Sequence, residues 1–369
     1  MKDVFINGTG IWVPPYKVSN DELVNSYNLY VDKYNAENST KIEAGELTPL
    51  SHSSSEFIEG ASGIQSRYVI EKDHLLDPNY MHPVIPHRGT DELSFSAEIS
   101  VLAAQDAMEK AEITSQDVDA VIVSCANIQR AYPAISIEVQ NALGIEGYAY
   151  DMMMACSSTT FGISNAYADI ISGKAKTVLV INPEITTAHN NHKSRETHFI
   201  FGDVCTAIVV SDTPSKDSYK ILSNKLITKF SNNLRNDFGF MNAIEDHAYQ
   251  EADLRVNQNG RKVFKEVSPM VADIIQNHLT ENGFSPEDIK QFFLHQANIK
   301  MNEFIILKLL GRNADNLRAP NVIQEFANTA SAGSIISFHY HKNLDRGEKA
   351  LICSFGGGYS VGSIILQKC

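Results

Sequence analysis

Three residues of different types could together carry out acyl chemistry: Cys156, His295 and Asn328. A cysteine supplies a nucleophile that forms thioesters, and a histidine supplies an acid/base or hydrogen-bonding group. A carboxamide donates hydrogen bonds to a developing anion without titrating itself. If a helix begins beside Cys156, its dipole and unpaired N–H groups stabilise the thiolate and lower the pKa of the thiol.

The segments that hold these residues occur twice along the chain. Residues 113–127 resemble residues 284–298, and residues 151–163 resemble residues 323–335, at nearly the same spacing. Repetition of several segments in one order predicts a duplicated fold. It places Cys156 and Asn328 at matching helix N-termini, whereas Ser124 stands where His295 stands in the second half. His295 ends a strand pattern, and ligands of α/β proteins bind beyond the carboxyl ends of strands.

The elements that position these residues alternate between strand and helix patterns. We expect helices over Ser96–Ala111 and Val267–Leu279, and this alternation is typical of α/β units with buried parallel strands. The expected strands are Val4–Gly10, Ala120–Ser124, Tyr148–Met153, Thr177–Asn182, Thr206–Ser211, Lys220–Phe230, Phe292–His295, Ala350–Ser354 and Ser363–Gln367.

The duplication also predicts the division of the chain. Residues 1–212 form a first half that carries the cysteine, and residues 213–369 form a second half that carries the histidine and the asparagine. Residues 27–55 are polar and residues 74–89 are rich in His and Pro, so both are predicted to be surface insertions in the first half.

Composition excludes several classes of protein. The chain has 369 residues and a formal net charge of −13, which argues against nucleic-acid binding and against anionic membranes. No apolar stretch is long enough to span a membrane. Five cysteines without CxxC spacing indicate reduced thiols in a cytoplasmic protein. His189, His192 and His198 are spaced irregularly, so no metal site is predicted.

A glycine-rich segment, residues 354–362, follows a late strand pattern and precedes another. It matches neither of the common phosphate-binding motifs. Glycines here allow a tight turn and close approach of the backbone to a ligand. Backbone N–H groups at Gly357 and Gly358 are therefore candidates for an oxyanion hole together with that of Cys156.

The ordered set of motifs resembles the β-ketoacyl-[acyl-carrier-protein] synthase III family of thiolase-like condensing enzymes. The resemblance spans nearly the whole chain and rests on Ser62-Gly63-Ile64, Ala155-Cys156, Phe201-Gly202-Asp203, His295-Gln296-Ala297-Asn298, Asn328-Thr329 and Phe355-Gly356-Gly357-Gly358. It implies an α/β thiolase-like duplicated fold. Such a fold has five layers, α-β-α-β-α, with two mixed sheets and buried central helices.

The resemblance implies an acyltransferase of fatty acid biosynthesis that needs no cofactor or metal. Cys156 would take the acyl group of a short- or medium-chain acyl-CoA primer. His295 and Asn328 would then bind the thioester carbonyl of malonyl-[acyl-carrier protein]. Decarboxylative Claisen condensation would give 3-ketoacyl-[acyl-carrier protein].

The resemblance also implies binding residues and partners. Phe57 stands where the family has a tryptophan that stacks on adenine, and Arg195 matches an arginine of the CoA entrance. Asn298 and Lys300 fall on the carrier-protein approach, and Tyr132 would line the acyl pocket across a homodimer. Ala61 replaces a family arginine, so the primer length and the choice between CoA and carrier protein as donor stay open.

Other functions use the same residue types. Acyl transfer to oxygen or nitrogen, thioester hydrolysis and non-decarboxylative condensation of acyl-CoAs all proceed from an acylated cysteine. Release of CO₂ during turnover separates these reactions from the decarboxylative one. A papain-like protease also combines Cys, His and Asn, but its local signature around the cysteine is absent. The intact set argues against a non-catalytic partner subunit.

Overall fold

The computed structural model of the protein describes residues 2–237, 239–249 and 251–369. The described strands are β1 (Phe5–Trp12), β2 (Tyr16–Ser19), β3 (Ser66–Val69), β4 (Ala120–Ser124), β5 (Tyr148–Met152), β6 (Thr177–Glu184), β7 (Val204–Ser211), β8 (Tyr219–Thr228), β9 (Leu234–Asn236), β10 (Val256–Gln258), β11 (Ile289–Leu294), β12 (Lys349–Gly356) and β13 (Ser360–Lys368). The described α-helices are α1 (Asn20–Glu37), α2 (Ser39–Glu43), α3 (Ser55–Ser62), α4 (Phe95–Lys110), α5 (Ile135–Leu143), α6 (Ser158–Ile171), α7 (Gly260–Glu281), α8 (Ile299–Leu310), α9 (Ile323–Phe326) and α10 (Gly333–His341).

The nine strands expected from the sequence form one mixed sheet in the order β11-β12-β13-β8-β1-β7-β6-β4-β5. Its two halves repeat one pattern. In the first half β4 runs parallel to β6, β6 antiparallel to β7, and β7 antiparallel to β1. In the second half β11, β12, β13 and β8 follow each other with the same directions. The two sheets expected from the sequence are therefore these halves, connected by a short pairing of β1 with β8.

The two halves of the sheet enclose the central helices α6 and α10. Buried residues of both helices share one cluster with residues from both halves, including Ile163, Ile335 and Phe338. A second cluster packs α4 and α5 on the outer face of the first half, and a third packs α7 and α8 on the outer face of the second. The five-layer arrangement expected from the sequence is confirmed.

Small and hydroxyl-bearing residues let the central helices meet at their N-terminal ends. Thr159, in the first turn of α6, donates a side-chain hydrogen bond to the carbonyl of Ser331 at 2.7 Å. Gly333 begins α10 against the segment that carries His295, where a Cβ would lie 2.9 Å from Cβ of Gln296. This close approach brings the two helix starts to one place in the molecule.

The segments predicted to be insertions pack against each other. Helix α1 extends into residues 27–55, and its buried Tyr27 and Val31 cluster with Met81 from residues 74–89. The first segment is thus not wholly a surface feature, because α1 supplies apolar side chains that a polar composition concealed. The boundary between residues 212 and 213 stays a prediction and falls between β7 and β8.

Across the described residues, every helix is too short or too polar to cross a lipid bilayer.

Candidate active site

Cys156 lies in a short turn between β5 and the central helix α6. Ala155, just before it, has φ of +47°, in the left-handed region, which turns the chain sharply after the strand. A 3₁₀ turn over Ala155–Ser157 leads into α6, and the Ser158 hydroxyl accepts a hydrogen bond from the Met154 N–H at 2.8 Å. Cys156 therefore stands at a helix start, as the sequence predicts.

The thiol of Cys156 does not have the lowered pKa that this position predicted. Burial raises its pKa to about 12, and the charge of Glu184 contributes in the same direction. Desolvation disfavours the thiolate here more than the helix terminus favours it. The resting thiol is protonated, so any attack by the sulfur must move its proton during the reaction.

Asn328 is held by its backbone and by its side chain. Its N–H donates to the carbonyl of Ile200 at 3.0 Å, and its carbonyl accepts from the N–H of Gly202 at 3.1 Å. The side-chain Oδ1 accepts from the N–H of Ala330 at 2.9 Å. Because the carboxamide oxygen is bonded to the protein in this way, the two amide hydrogens are left for another acceptor.

His295 follows the last residue of β11 and is fixed from three sides. Its backbone N–H donates to the carbonyl of Cys353 at 2.8 Å. Its ring packs edge-to-face on Phe355 with centroids 5.1 Å apart, and the nearby backbone of Ala330 acts to raise the pKa of the ring. Burial lowers the pKa of His295 to about 3, so the imidazole is neutral at physiological pH.

One cavity of about 630 Å³ brings these three residues together. Its walls also include Gly357, Gly358, Phe57 and Asn298, and its apolar lining includes Phe201, Leu234, Val263, Phe264 and Met301. The combination of an apolar cavity with a few polar groups is typical of a small-molecule site. A nucleophilic sulfur, a neutral imidazole and an oriented amide can form a thioester here and hydrogen-bond a developing oxyanion.

The glycine-rich segment packs directly against the nucleophile. A Cβ on Gly356 would lie 2.7 Å from Cβ and 2.9 Å from N of Cys156, so only glycine fits without a shift. Behind it, the hydroxyls of Ser157 and Ser360 are 2.5 Å apart. Gly356 was not among the site residues predicted from the sequence, although the next two glycines, Gly357 and Gly358, were.

Phe57 and Asn298 lie at one end of the cavity with two basic residues beside them. The Arg195 guanidinium lies 3.9 Å from the centre of the Phe57 ring. Lys300 donates to the carbonyl of Gly60 at 2.5 Å, and Asn298 donates to the carbonyl of Ala61 at 2.8 Å. Arg195 and Lys300 do not themselves line the cavity, but they flank residues that do.

Tyr132 is separate from the cavity in the single chain. Its side chain is 83% exposed and does not contribute to the cavity wall. The structure thus leaves this side chain on the surface, where a second copy of the chain could reach it.

Sequence reasoning missed three contributors to the site. Glu184 is the buried last residue of β6, and its charge acts on Cys156; an acid at the end of a buried strand was the available signal. His189 lines the cavity, and its Nδ1 lies 2.9 Å from Nδ2 of Asn127. The hairpin of β9 and β10 covers the cavity, and its short strands give no clear periodicity.

The remaining histidines named from the sequence belong to the core. His192 and His198 are buried, and both ring nitrogens of His192 contact backbone carbonyls, at Thr187 and His198. Over the residues that the structure covers, no group of three or more His, Cys, Asp and Glu side chains is arranged to hold a metal ion.

Comparison with known proteins finds family models and a close relative that match this chain. Residues 150–229 match the family model described as 3-oxoacyl-[acyl-carrier-protein (ACP)] synthase III, and residues 279–368 match the model of its C-terminal part. A beta-ketodecanoyl-[acyl-carrier-protein] synthase from Pseudomonas aeruginosa is 49% identical over 347 residues, which cover 93% of this chain and 99% of that protein.

Solved structures show the same fold. The crystal structure of 3-oxoacyl-[acyl-carrier-protein] synthase III from Aquifex aeolicus VF5 has a TM-score of 0.76 at 23% identity and covers 99% of both chains. The priming beta-ketosynthase of the R1128 polyketide biosynthetic pathway has a TM-score of 0.79 at 22% identity, over 99% of this chain and 96% of that one. The thiolase-like fold expected from the sequence is confirmed.

Proposed function

The chain belongs to the 3-oxoacyl-[acyl-carrier-protein] synthase III family, and we propose that it joins an acyl-CoA primer to malonyl-[acyl-carrier protein] by decarboxylative Claisen condensation. The observation that supports this proposal most is the meeting of Cys156, His295 and Asn328 in one cavity. In particular, Oδ1 of Asn328 accepts a hydrogen bond from the N–H of Ala330, so the amide hydrogens of Asn328 can be donated to a substrate oxygen.

The first step transfers the acyl group to Cys156. Its sulfur attacks the thioester carbonyl of the acyl-CoA, the new carbon–sulfur bond forms, and the bond to the CoA sulfur breaks. Because burial keeps the Cys156 thiol protonated, its proton passes to the departing CoA sulfur, and CoA leaves as a thiol. Backbone N–H groups of Cys156 and of Gly357 or Gly358 would bind the oxyanion of this step.

The second step releases CO₂ from malonyl-[acyl-carrier protein]. The bond between the carboxylate and the α-carbon breaks, and its electron pair forms an enolate whose oxygen accepts hydrogen bonds from His295 and Asn328. A neutral imidazole suits this role because it donates without giving its proton away. The enolate carbon attacks the acyl carbonyl on Cys156, the bond from that carbonyl to the sulfur breaks, and the expelled sulfur takes up one proton from water. These steps need no metal or redox cofactor.

The primer is proposed to be of medium length. The Pseudomonas relative is named for a ketodecanoyl product, and condensation with malonate adds two carbons after loss of CO₂. An octanoyl primer would therefore give the corresponding product in this chain. A cavity of about 630 Å³ lined by side chains such as Phe201, Leu234 and Phe264 can bury such a chain.

The cavity mouth is proposed to receive phosphate-bearing carriers. The chain has a net charge of −13, yet Arg195 and Lys300 stand beside Phe57 and Asn298 at this end of the cavity. Phosphates of CoA or of the carrier protein's prosthetic group would meet these cations. We further propose a cytoplasmic homodimer, because a dimer would cover the exposed Tyr132.

A two-stage assay tests the proposed reaction. The protein is incubated with acyl-CoAs from acetyl to dodecanoyl, and intact and peptide mass spectrometry locate the adduct. Malonyl-[acyl-carrier protein] is then added, and released CO₂ and 3-ketoacyl product are measured. We expect an adduct on Cys156 that is strongest with octanoyl-CoA and is converted to 3-ketodecanoyl product with equal CO₂.

Two cysteine variants complete this assay. Cys156→Ala is expected to abolish the adduct and the product. Cys369→Ala removes an exposed thiol that lies outside the cavity, and it is expected to keep both. Acyl transfer without CO₂ release would instead identify one of the other acyl-cysteine reactions.

A further inference from the structure

Glu184 is a buried acid that the proposed reaction does not use. It is the last residue of β6, and only 1% of its surface is exposed. Strand β6 lies beside β4, whose carboxyl end is at the same edge of the sheet. A carboxyl group in such a place is costly unless several donors satisfy it.

The carboxyl of Glu184 connects the two halves of the fold. Both of its oxygens accept from the N–H of Ala126, after β4, at 3.0 and 3.2 Å. Oε1 also accepts from the N–H of Ser331 at 3.2 Å and from the Ser331 hydroxyl. All these partners are donors, so the group is matched to a carboxylate acceptor.

Ser331 belongs to the turn that orients the two donors of the enolate. Its neighbour Ala330 donates its N–H to Oδ1 of Asn328, and the backbone of Ala330 is also close enough to the ring of His295 to influence its pKa. A displacement of Ser331 therefore displaces the group that holds both side chains. Glu184 therefore acts on the reacting atoms indirectly, through this turn.

The charge of Glu184 also acts on nearby thiols. Burial raises the pKa of Glu184 to about 8, while the bonds from Ser331 and Ala126 oppose that rise. Its negative charge raises the pKa of Cys156, and it does the same for Cys125 and Cys205. Once Glu184 ionises, at a pH above about 8, its charge therefore opposes formation of the Cys156 thiolate.

We propose that Glu184 is a positioning residue that, through Ser331 and Ala330, holds Asn328 and His295 where they bind the enolate of malonyl-[acyl-carrier protein]. The inference rests on the proposed condensation, since it concerns the second step of that reaction. Glu184 acts on the first step only through its charge, which raises the pKa of Cys156, so removal of that charge does not slow the attack on the acyl-CoA as it slows the second step.

Glu184→Gln and Ser331→Ala test this role. The assay is run above pH 8, where Glu184 is ionised; there glutamine has nearly the same shape but places an NH₂ donor against partners that donate to the carboxylate, which moves the turn. We expect CO₂ release from malonyl-[acyl-carrier protein] to fall on the order of 10²-fold, as for a catalytic group misplaced by about 1 Å. Ser331→Ala removes one hydrogen bond, and we expect a fall on the order of 10-fold.

Two further measurements separate positioning from general damage. The acylation rate of Cys156 by octanoyl-CoA is expected to fall far less than CO₂ release. Alkylation of Cys156 by iodoacetamide above pH 8 is expected to become faster in Glu184→Gln, because the charge that opposed the thiolate is gone. A protein that is merely destabilised would lose CO₂ release and acylation alike.

Glu138→Gln is the matched control. Glu138 also accepts from the N–H and the hydroxyl of one serine, Ser94, at 2.5 and 2.8 Å, but it lies on α5 and does not line the cavity. It is expected to keep the wild-type rate of CO₂ release. Thermal unfolding of each variant shows whether it is folded, and Ser331→Ala carries the test if Glu184→Gln does not fold.

The outcomes distinguish this inference from the proposed function. A wild-type protein that takes up acyl groups but releases no CO₂ overturns both. A wild-type protein that condenses, with Glu184→Gln and Ser331→Ala releasing CO₂ at the wild-type rate, overturns the inference alone. Equal losses of acylation and CO₂ release in a folded variant also contradict a role confined to the second step.

Discussion

The contact between Gly356 and Cys156 allows a quantitative prediction for Gly356→Ala. The added Cβ would stand 2.7 Å from Cβ, 2.9 Å from N and 3.2 Å from Cα of Cys156. Carbon atoms pack best at about 3.5–4.0 Å, so the two backbones must separate by roughly 1 Å. No side-chain rotation can relieve the contact, because two of the three nearest atoms belong to the backbone.

The displacement affects the nucleophile more than the fold. Misplacement by about 1 Å costs on the order of 10²-fold in rate, and overpacking of this kind costs about 1–3 kcal/mol of stability. We therefore expect acylation of Cys156 by octanoyl-CoA to slow on the order of 10²-fold, with a folded protein of lower melting temperature. Intact mass spectrometry over time gives the first quantity, and thermal unfolding gives the second.

Two other glycines calibrate the result. In Gly357→Ala the nearest atoms are the carbonyl oxygen and Cγ of Leu234, at 3.4 and 3.5 Å, and Cβ of Ala155, at 3.6 Å, so a smaller loss is expected. Gly89→Ala meets nothing closer than 3.7 Å, in a loop outside the cavity, and is expected to behave as wild type. If Gly356→Ala is acylated as fast as Gly89→Ala, the packing argument for the nucleophile is wrong.

Three more predictions concern other parts of the molecule. Asn328→Asp keeps an acceptor for the N–H of Ala330 but loses the amide donors. CO₂ release should therefore fall about 10²–10³-fold while acylation of Cys156 continues. Malonyl-[acyl-carrier protein] with a radiolabelled carboxyl group measures the release. His192 is buried with its pKa lowered to about 4, so its own contribution to stability should be complete above its ordinary pKa of about 6.5 and should fall by about 3 kcal/mol as the pH drops towards 4. Denaturant unfolding should show a smaller loss over this range in His192→Gln than in the wild type, since the other buried histidines are common to both. Arg195→Ala removes the cation beside Phe57, so KM for acyl-CoA should rise about 10-fold with kcat little changed, whereas an unchanged KM would remove Arg195 from the CoA site.

The strands were predictable because their composition reflects burial. Ala120–Ser124 and Thr177–Glu184 are buried along their whole length, and continuous apolar or β-branched runs of this kind indicate central parallel strands. Repetition along the chain then predicted the order of elements in both halves. Helix α1 was harder to predict from the sequence, because polar residues separate its apolar positions. Its burial also depends on Met81, which is far along the chain.

The candidate site was predictable in its members and not in its chemistry. The spacing of the motifs predicted that Cys156, His295 and Asn328 stand at helix and strand ends. In the structure these ends converge on one cavity. The catalytic roles of these residues stay predictions. The direction of the thiol pKa was wrong, because sequence position reveals a helix start but does not reveal burial or the charge of Glu184.

The sequence by itself determined the repeated order of strands and helices and the residue types that stand at their ends. Both follow from local patterns, since hydrophobic periodicity and short motifs are written along the chain. Only the tertiary structure decided which way Asn328 presents its amide, how closely Gly356 approaches Cys156, and that Glu184 joins the two halves. These are contacts between residues far apart in sequence, and their energies depend on distance and desolvation, which exist only once the chain is folded.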